Sequence, residues 1–103
     1  MRTTWKYNVE PGLFSVQMPA DARVLSVQMQ YGKAVMWAFV PNDDAPKVER
    51  QFITYGTGHD IKQAGLRYIG TFQPDERVGV QLIFHLFEVR PTRGDYRELD
   101  QLP

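Results

Sequence analysis

Apolar and polar residues alternate with a period of two along most of this chain, and that rhythm limits the fold more than any other feature. Successive side chains of a strand point to opposite sides of a sheet, so the alternation places one face in a core and the other in water. Trp5, Tyr7 and Val9 alternate with Lys6 and Asn8 as far as Pro11-Gly12, and Phe14, Val16 and Met18 alternate with Ser15 and Gln17 as far as Pro19. Leu25, Val27 and Met29 alternate with Ser26, Gln28 and Gln30 up to Tyr31-Gly32-Lys33. Residues 34–40 follow, with Val35, Trp37 and Phe39 expected on one face. Two alternating runs about a short glycine-containing turn predict a β-hairpin.

Pro41-Asn42-Asp43-Asp44-Ala45-Pro46 is bracketed by prolines, which cannot donate to a sheet ladder, and reads as a surface loop. A strand is expected over 48–55, then a glycine-rich bend at 56–60 and either one helical turn or plain loop at 61–65. Residues 66–73 read as a strand with Leu66, Tyr68 and Phe72 on one side, and Pro74-Asp75-Glu76-Arg77 as a turn. The longest apolar run, 78–89, sets Val78, Val80, Leu82, Phe84 and Leu86 on one face and Ile83, His85 and Phe87 on the other. A strand apolar on both faces is central or covered. The expectation is an all-β, single-domain antiparallel β-sandwich or partly open barrel of about seven strands over residues 1–90, with a polar tail over 91–103.

The chain has 103 residues, enough for one core and too few for two. Lys plus Arg and Asp plus Glu are equal at 12 each, with the signs mixed along the chain. That balance speaks against sequence-specific nucleic-acid binding, which draws on basic groups that displace counterions from phosphates. A neutral surface repels its own copies little, so a homo-oligomer is expected. Cysteine is absent, which removes disulfides, thiolate metal sites and cysteine nucleophiles. No run is long enough to span a membrane or serve as a signal peptide, and a cytoplasmic product is expected.

Catalytic sets are sparse. The histidines are His59 and His85, with Asp60 beside His59 but pointing away from it on an extended chain. Both serines, Ser15 and Ser26, lie inside strand segments without the glycines of an exposed nucleophile. No metal, cofactor or catalytic residue is assigned, and the protein is not expected to be an enzyme. His85, between Phe84 and Leu86, reads as a neutral histidine hydrogen-bonded within the fold or at a subunit contact, and Trp5 and Trp37 as core residues. The most informative local feature is Tyr55-Gly56-Thr57-Gly58-His59. Glycines about a threonine allow positive φ and can expose consecutive amides to an anion. Arg50, Lys62 and Arg67 are near in sequence and would add positive charge. These eight residues form the candidate site for a small anionic ligand or nucleotide, weighed against a plain structural turn.

Several segments together resemble a family of small proteins from phages and prophages, a domain of unknown function. They are Trp5-Lys6-Tyr7, Ala22-Arg23-Val24-Leu25-Ser26-Val27-Gln28, Trp37-Ala38, Ala45-Pro46-Lys47-Val48-Glu49-Arg50, Tyr55-Gly56-Thr57-Gly58-His59, Tyr68-Ile69-Gly70-Thr71-Phe72-Gln73 and Phe84-His85-Leu86-Phe87-Glu88. The resemblance implies a phage accessory protein acting in a bacterial host cell. Such proteins counter host defence by holding a nucleotide signal or by blocking a protein. The leading expectation is sequestration of a small anionic ligand. The alternatives are a protein–protein inhibitor or virion component gripping through an aromatic face or sheet edge, and nucleotide hydrolysis should His59 and Asp60 converge with other groups.

Overall fold

The computed structural model describes residues 1–75 and 82–90. Seven strands run in chain order: β1 (Thr3–Asn8), β2 (Leu13–Pro19), β3 (Arg23–Gln30), β4 (Lys33–Val40), β5 (Lys47–Gly56), β6 (Leu66–Asp75) and β7 (Leu82–Val89). They form two antiparallel sheets, one ordered β1-β4-β3 and the other β2-β5-β7-β6. The expected all-β sandwich is thus the fold, without closure into a barrel. Among the described residues there is no helix, and so none long and apolar enough to cross a membrane.

The core lies between the sheets. Val24, Val27, Met36, Ala38 and Val40 enter it from the three-stranded sheet, and Phe14, Met18, Phe52 and Leu86 from the four-stranded one. Phe14 and Phe52, opposite each other in the β2–β5 register, stack with centroids 5.6 Å apart. Burying each such large side chain stabilises the fold by about 1.5–3 kcal/mol. The sheets meet along a seam between β3 and β6, where the lack of a side chain at Gly70 permits the close approach: a Cβ there would stand 2.7 Å from Val27 Cγ1.

The β3–β4 hairpin turns on Tyr31 and Gly32, at φ 50° and 76°, the double positive-φ geometry of a tight two-residue turn. Elsewhere register shifts break the alternation, one in β3 and two in β6, the second of these between Phe72 and Asp75. Between Val24 and Ser26 one extra residue enters β3, so Val24 and Val27 face the core while Leu25 is exposed. Leu25, Val27 and Met29 therefore do not share a face. The bulge between Tyr68 and Gly70 likewise separates Phe72, which packs on the core, from Tyr68, which points outward. In β4 Met36, Ala38 and Val40 enter the core between the sheets, while Val35, Trp37 and Phe39 share the other face, where Val35 is also buried. Trp37 is half-buried on the outer side with the Lys6 amine 6.0 Å from its ring, whereas Trp5 packs against the core as expected.

Pro74 and Asp75 extend β6 instead of opening a turn, a place proline can take because β6 is an edge strand. Residues 61–65 are plain loop, with no helical turn. The expected start of the last strand at 78–81, the remainder of the 74–77 turn and the 91–103 tail fall outside the described residues.

Because β5 and β6 both run antiparallel to β7, they are parallel to each other and need a crossover rather than a hairpin. Residues 57–65 supply it. The chain leaves β5 at Gly56, opposite Phe84, and re-enters β6 at Leu66, opposite Val89, so the crossover travels the length of β7. Beneath its far end Leu66, Phe87 and Val89 form a second buried cluster on the outer side of the sheet.

Candidate functional site

Strand parity sorts the eight residues of the expected anion site onto two faces. Tyr55 shares the outer face of β5 with Ile53, whereas Arg50 shares the inner face with Phe52. Arg50 is 7% exposed and Glu88 2%, and they form a bidentate pair: Nε donates to Oε2 at 2.8 Å and Nη2 to Oε1 at 2.9 Å. Nη1 of Arg50 donates to the carbonyls of Pro19 at 3.1 Å and Ala22 at 2.6 Å, which ties the β2–β3 corner to the sheet. Arg67 also faces inward, with Nη1 3.9 Å from Glu88 Oε1 and Nη2 donating to the Val24 carbonyl at 3.4 Å. The expectation that both arginines flank the glycine loop is therefore corrected. They lie across the sheet from it, in a charged cross-tie inside the sandwich.

The loop itself is a tight turn. The His59 amide donates to the Gly56 carbonyl at 3.1 Å, and Gly58 takes φ +87° at the third position, the arrangement of a type II turn. The Thr57 amide donates to the Ile83 carbonyl at 2.9 Å. Two of the amides expected to cradle an anion are thus engaged by carbonyls. A Cβ at Gly56 would sit 2.9 Å from Cε1 of the exposed His59 ring, which is free to swing aside. Tyr55, Gly56, Thr57, Gly58 and His59 remain together at the β5 end, and Lys62 is exposed on the crossover.

What assembles beside the turn is a string of hydroxyls about one imidazole. Thr57 Oγ1 lies 2.8 Å from His85 Nε2, and His85 Nδ1 lies 2.9 Å from Thr71 Oγ1. Thr71 Oγ1 is 2.6 Å from the Tyr68 hydroxyl. Thr57 also donates to the Ile83 carbonyl at 3.3 Å. One proton assignment satisfies the whole string for a neutral imidazole: Nε2–H donates to Thr57, Nδ1 accepts from Thr71, and Thr71 accepts from Tyr68. An imidazolium is accommodated as well, because Thr71 can then accept from Nδ1–H and turn its own proton to Tyr68.

Around the string the outer face is apolar and aromatic. Phe87 is met edge-on by Tyr55 at 6.2 Å and Tyr68 at 5.7 Å between centroids. Leu13, Tyr68 and Ile83 are exposed by 57%, 42% and 37%. Among the described residues, no outward-facing strand position from Gln51 on β5 to Ile83 on β7 carries a charge; Lys47 and Glu49 lie at the opposite end of β5. Three segments singled out in the sequence, around Thr57, Thr71 and His85, converge here. His85 matches the expectation of a histidine hydrogen-bonded within the fold. Thr71 and Tyr68 went unrecognised because the bulge between them breaks the period of two. Among the described residues no three His, Asp or Glu side chains gather as a metal site.

The family model described as a domain of unknown function, DUF7352, matches residues 1–96. This chain belongs to that family. No curated protein and no solved structure gives a significant match to the DUF7352 chain. The family description names no activity, so the chemistry of the outer face has to carry any functional reading.

Proposed function

We propose that this DUF7352 protein is a binding module with no chemistry of its own, and that it grips a protein through the outer face of the β2-β5-β7-β6 sheet. One observation carries the reading: the face a two-layer sandwich turns to water holds Leu13, Ile53, Tyr55, Tyr68 and Ile83, set about the buried Phe87, with no charge among them. Centres of protein interfaces are depleted in charge and enriched in aromatic residues, tyrosine foremost. The hydroxyl string about His85 gives such a surface donors and acceptors at fixed places. In the phage or prophage setting implied by the resemblance, the partner is a host protein whose action is blocked.

Sequestration of a small anionic ligand is less well supported, because its two guanidiniums face the interior. A thermal shift with cyclic or ADP-ribose-type nucleotides, abolished by His59→Ala, would restore it.

The test is photocrosslinking in host cells, with a benzophenone amino acid placed at Tyr68 or, as control, at Tyr31 in the β3–β4 turn. A discrete adduct from position 68 and not from 31, lost on adding Ile83→Arg, is the expected result. An adduct of twice the chain mass identifies a second copy as partner, and another mass identifies a different protein. Equal absence of adducts at both positions would overturn the proposal.

A further inference from the structure

The interior has an opening at the end where β1 leads into β2. There Phe72 and Phe84 lie on the core-facing side of the sheet, stacked at 5.9 Å with an interplanar angle of 24°, yet both are only half-buried. Above them is a cleft of about 240 Å³, walled by Val9, Pro11, Thr54 and Pro74. The wall is nearly apolar, since the one hydroxyl in it, that of Thr54, already accepts from the Gly12 amide at 2.8 Å. Among the described residues Glu10 is the one charged side chain lining the cleft, and it is exposed at the rim. Beyond it an adjoining depression of about 320 Å³ is lined by Asn8, Lys33 and Ala34.

We propose that this cleft is a binding site for a small aromatic amine. Its size sets the scale of the guest: a dry apolar cavity of roughly 150 Å³ accepts benzene, so the larger volume here suits a two-ring system such as indole. The stacked phenyl pair offers a ring face on which a planar guest makes a third layer. The Glu10 carboxylate attracts an ammonium at the rim and repels a carboxylate, with Lys33 of the adjoining depression opposing it only from the far side of Glu10 from the cleft wall. The site lies across the sheet from the outer aromatic face, so it stands or falls independently of the protein-binding reading.

Tryptamine, indole and indole-3-acetate should be titrated into isotope-labelled protein and followed by amide chemical shifts. The expected result is perturbation centred on residues 9–11, Thr54, Phe72 and Phe84, with tryptamine binding about two- to fivefold tighter than indole and indole-3-acetate weaker than either. Glu10→Gln, at an exposed position that leaves the fold intact, should bring tryptamine and indole to equal affinity. Val9→Phe should block all three, with the same spectra reporting whether that variant is folded. The absence of shifts at millimolar ligand, shifts centred on Tyr55 and Tyr68 instead, or tryptamine binding unaffected by Glu10→Gln would each overturn the proposal.

Discussion

Removing the Arg50 guanidinium should expose how much the sandwich depends on its internal charges. Arg50→Ala deletes four hydrogen bonds: two to Glu88, at 2.8 and 2.9 Å, and two to the Pro19 and Ala22 carbonyls, at 3.1 and 2.6 Å. Bonds involving a charged group contribute about 1.5–3 kcal/mol each, but the four share one side chain and do not add. The larger penalty is the Glu88 carboxylate left 2% exposed without its bidentate partner. Breaking one half of a buried pair costs about 3–5 kcal/mol. Arg67 Nη1, 3.9 Å from Glu88 Oε1, offsets part of that, which places the expected loss at about 3–4 kcal/mol.

A domain of this size is stable by roughly 5–15 kcal/mol, so the variant should remain folded but be plainly weakened. In urea, with an m-value of about 1.5 kcal/mol/M, the midpoint should fall by about 2 M. Added salt should change this difference little, because a pair this buried is poorly screened. Arg50→Met combined with Glu88→Leu should be less destabilised than Arg50→Ala, since it removes the stranded charge along with its partner. A midpoint shift under about 0.5 M for Arg50→Ala, or a double variant weaker than the single, would refute the reasoning.

Three further outcomes follow from other parts of the molecule. Gly70→Ala should cost about 1–3 kcal/mol through the clash with Val27 Cγ1, and Val27→Ala in the same chain should recover part of it, as read by thermal unfolding of the two single variants and the double. Tyr7→Phe should be neutral or stabilising by up to about 1 kcal/mol near pH 7, because the buried Tyr7 hydroxyl has no hydrogen-bond partner among the described residues. Burial raises the Tyr7 pKa above 10.0, against a smaller opposing pull from Arg50. The unfolded chain therefore releases this proton first, and wild-type stability should fall faster than that of Tyr7→Phe as pH rises past about 10. Tyr68→Arg, at a side chain 42% exposed, should change stability by no more than about 1 kcal/mol while abolishing the adduct formed when the benzophenone amino acid is placed at Ile83 instead of at Tyr68.

How far the alternation could be trusted depended on the strand. In β1, β2 and β7 the parity of apolar residues assigned the faces correctly, because one set of positions was clearly the more apolar or the register ran unbroken. In β4 the two sets, Val35, Trp37 and Phe39 against Met36, Ala38 and Val40, are equally apolar, and only packing against the second sheet decides between them. The β3 bulge at Leu25 has no signature in its neighbours. That in β6 had one, an isolated glycine at position 70 within a strand pattern. The same parity placed Arg50 on the Phe52 face, so its inward turn was readable from β5 alone; proximity in sequence to the glycine loop was the weaker guide. The pairing of His85 with Thr57 and Thr71 needed the β5-β7-β6 strand order, which local sequence does not carry.

The four-stranded sheet departs in part from the usual polarity. Beside Phe14, Met18, Phe52 and Leu86, the charged Arg50, Glu88 and Arg67 face the interior, while Leu13, Ile53, Tyr55, Tyr68 and Phe87 face outward. Neither half of that arrangement is the cheapest way to build a sandwich. Buried ion pairs are often no better than well-packed hydrophobic residues, and aromatic side chains left at the surface forgo part of their burial energy. The inward charges do hold something together, since one guanidinium reaches Glu88 on β7 and two carbonyls at the β2–β3 corner, fixing the sheets against each other without cysteine. The outward aromatics hold only part of themselves: the crossover accompanies burial of Leu66, Phe87 and Val89, while Leu13, Tyr68 and Ile83 stay in water. A surface partner that covers those three would complete the burial the crossover begins, and this is why binding is sought on that face and not at the glycine turn.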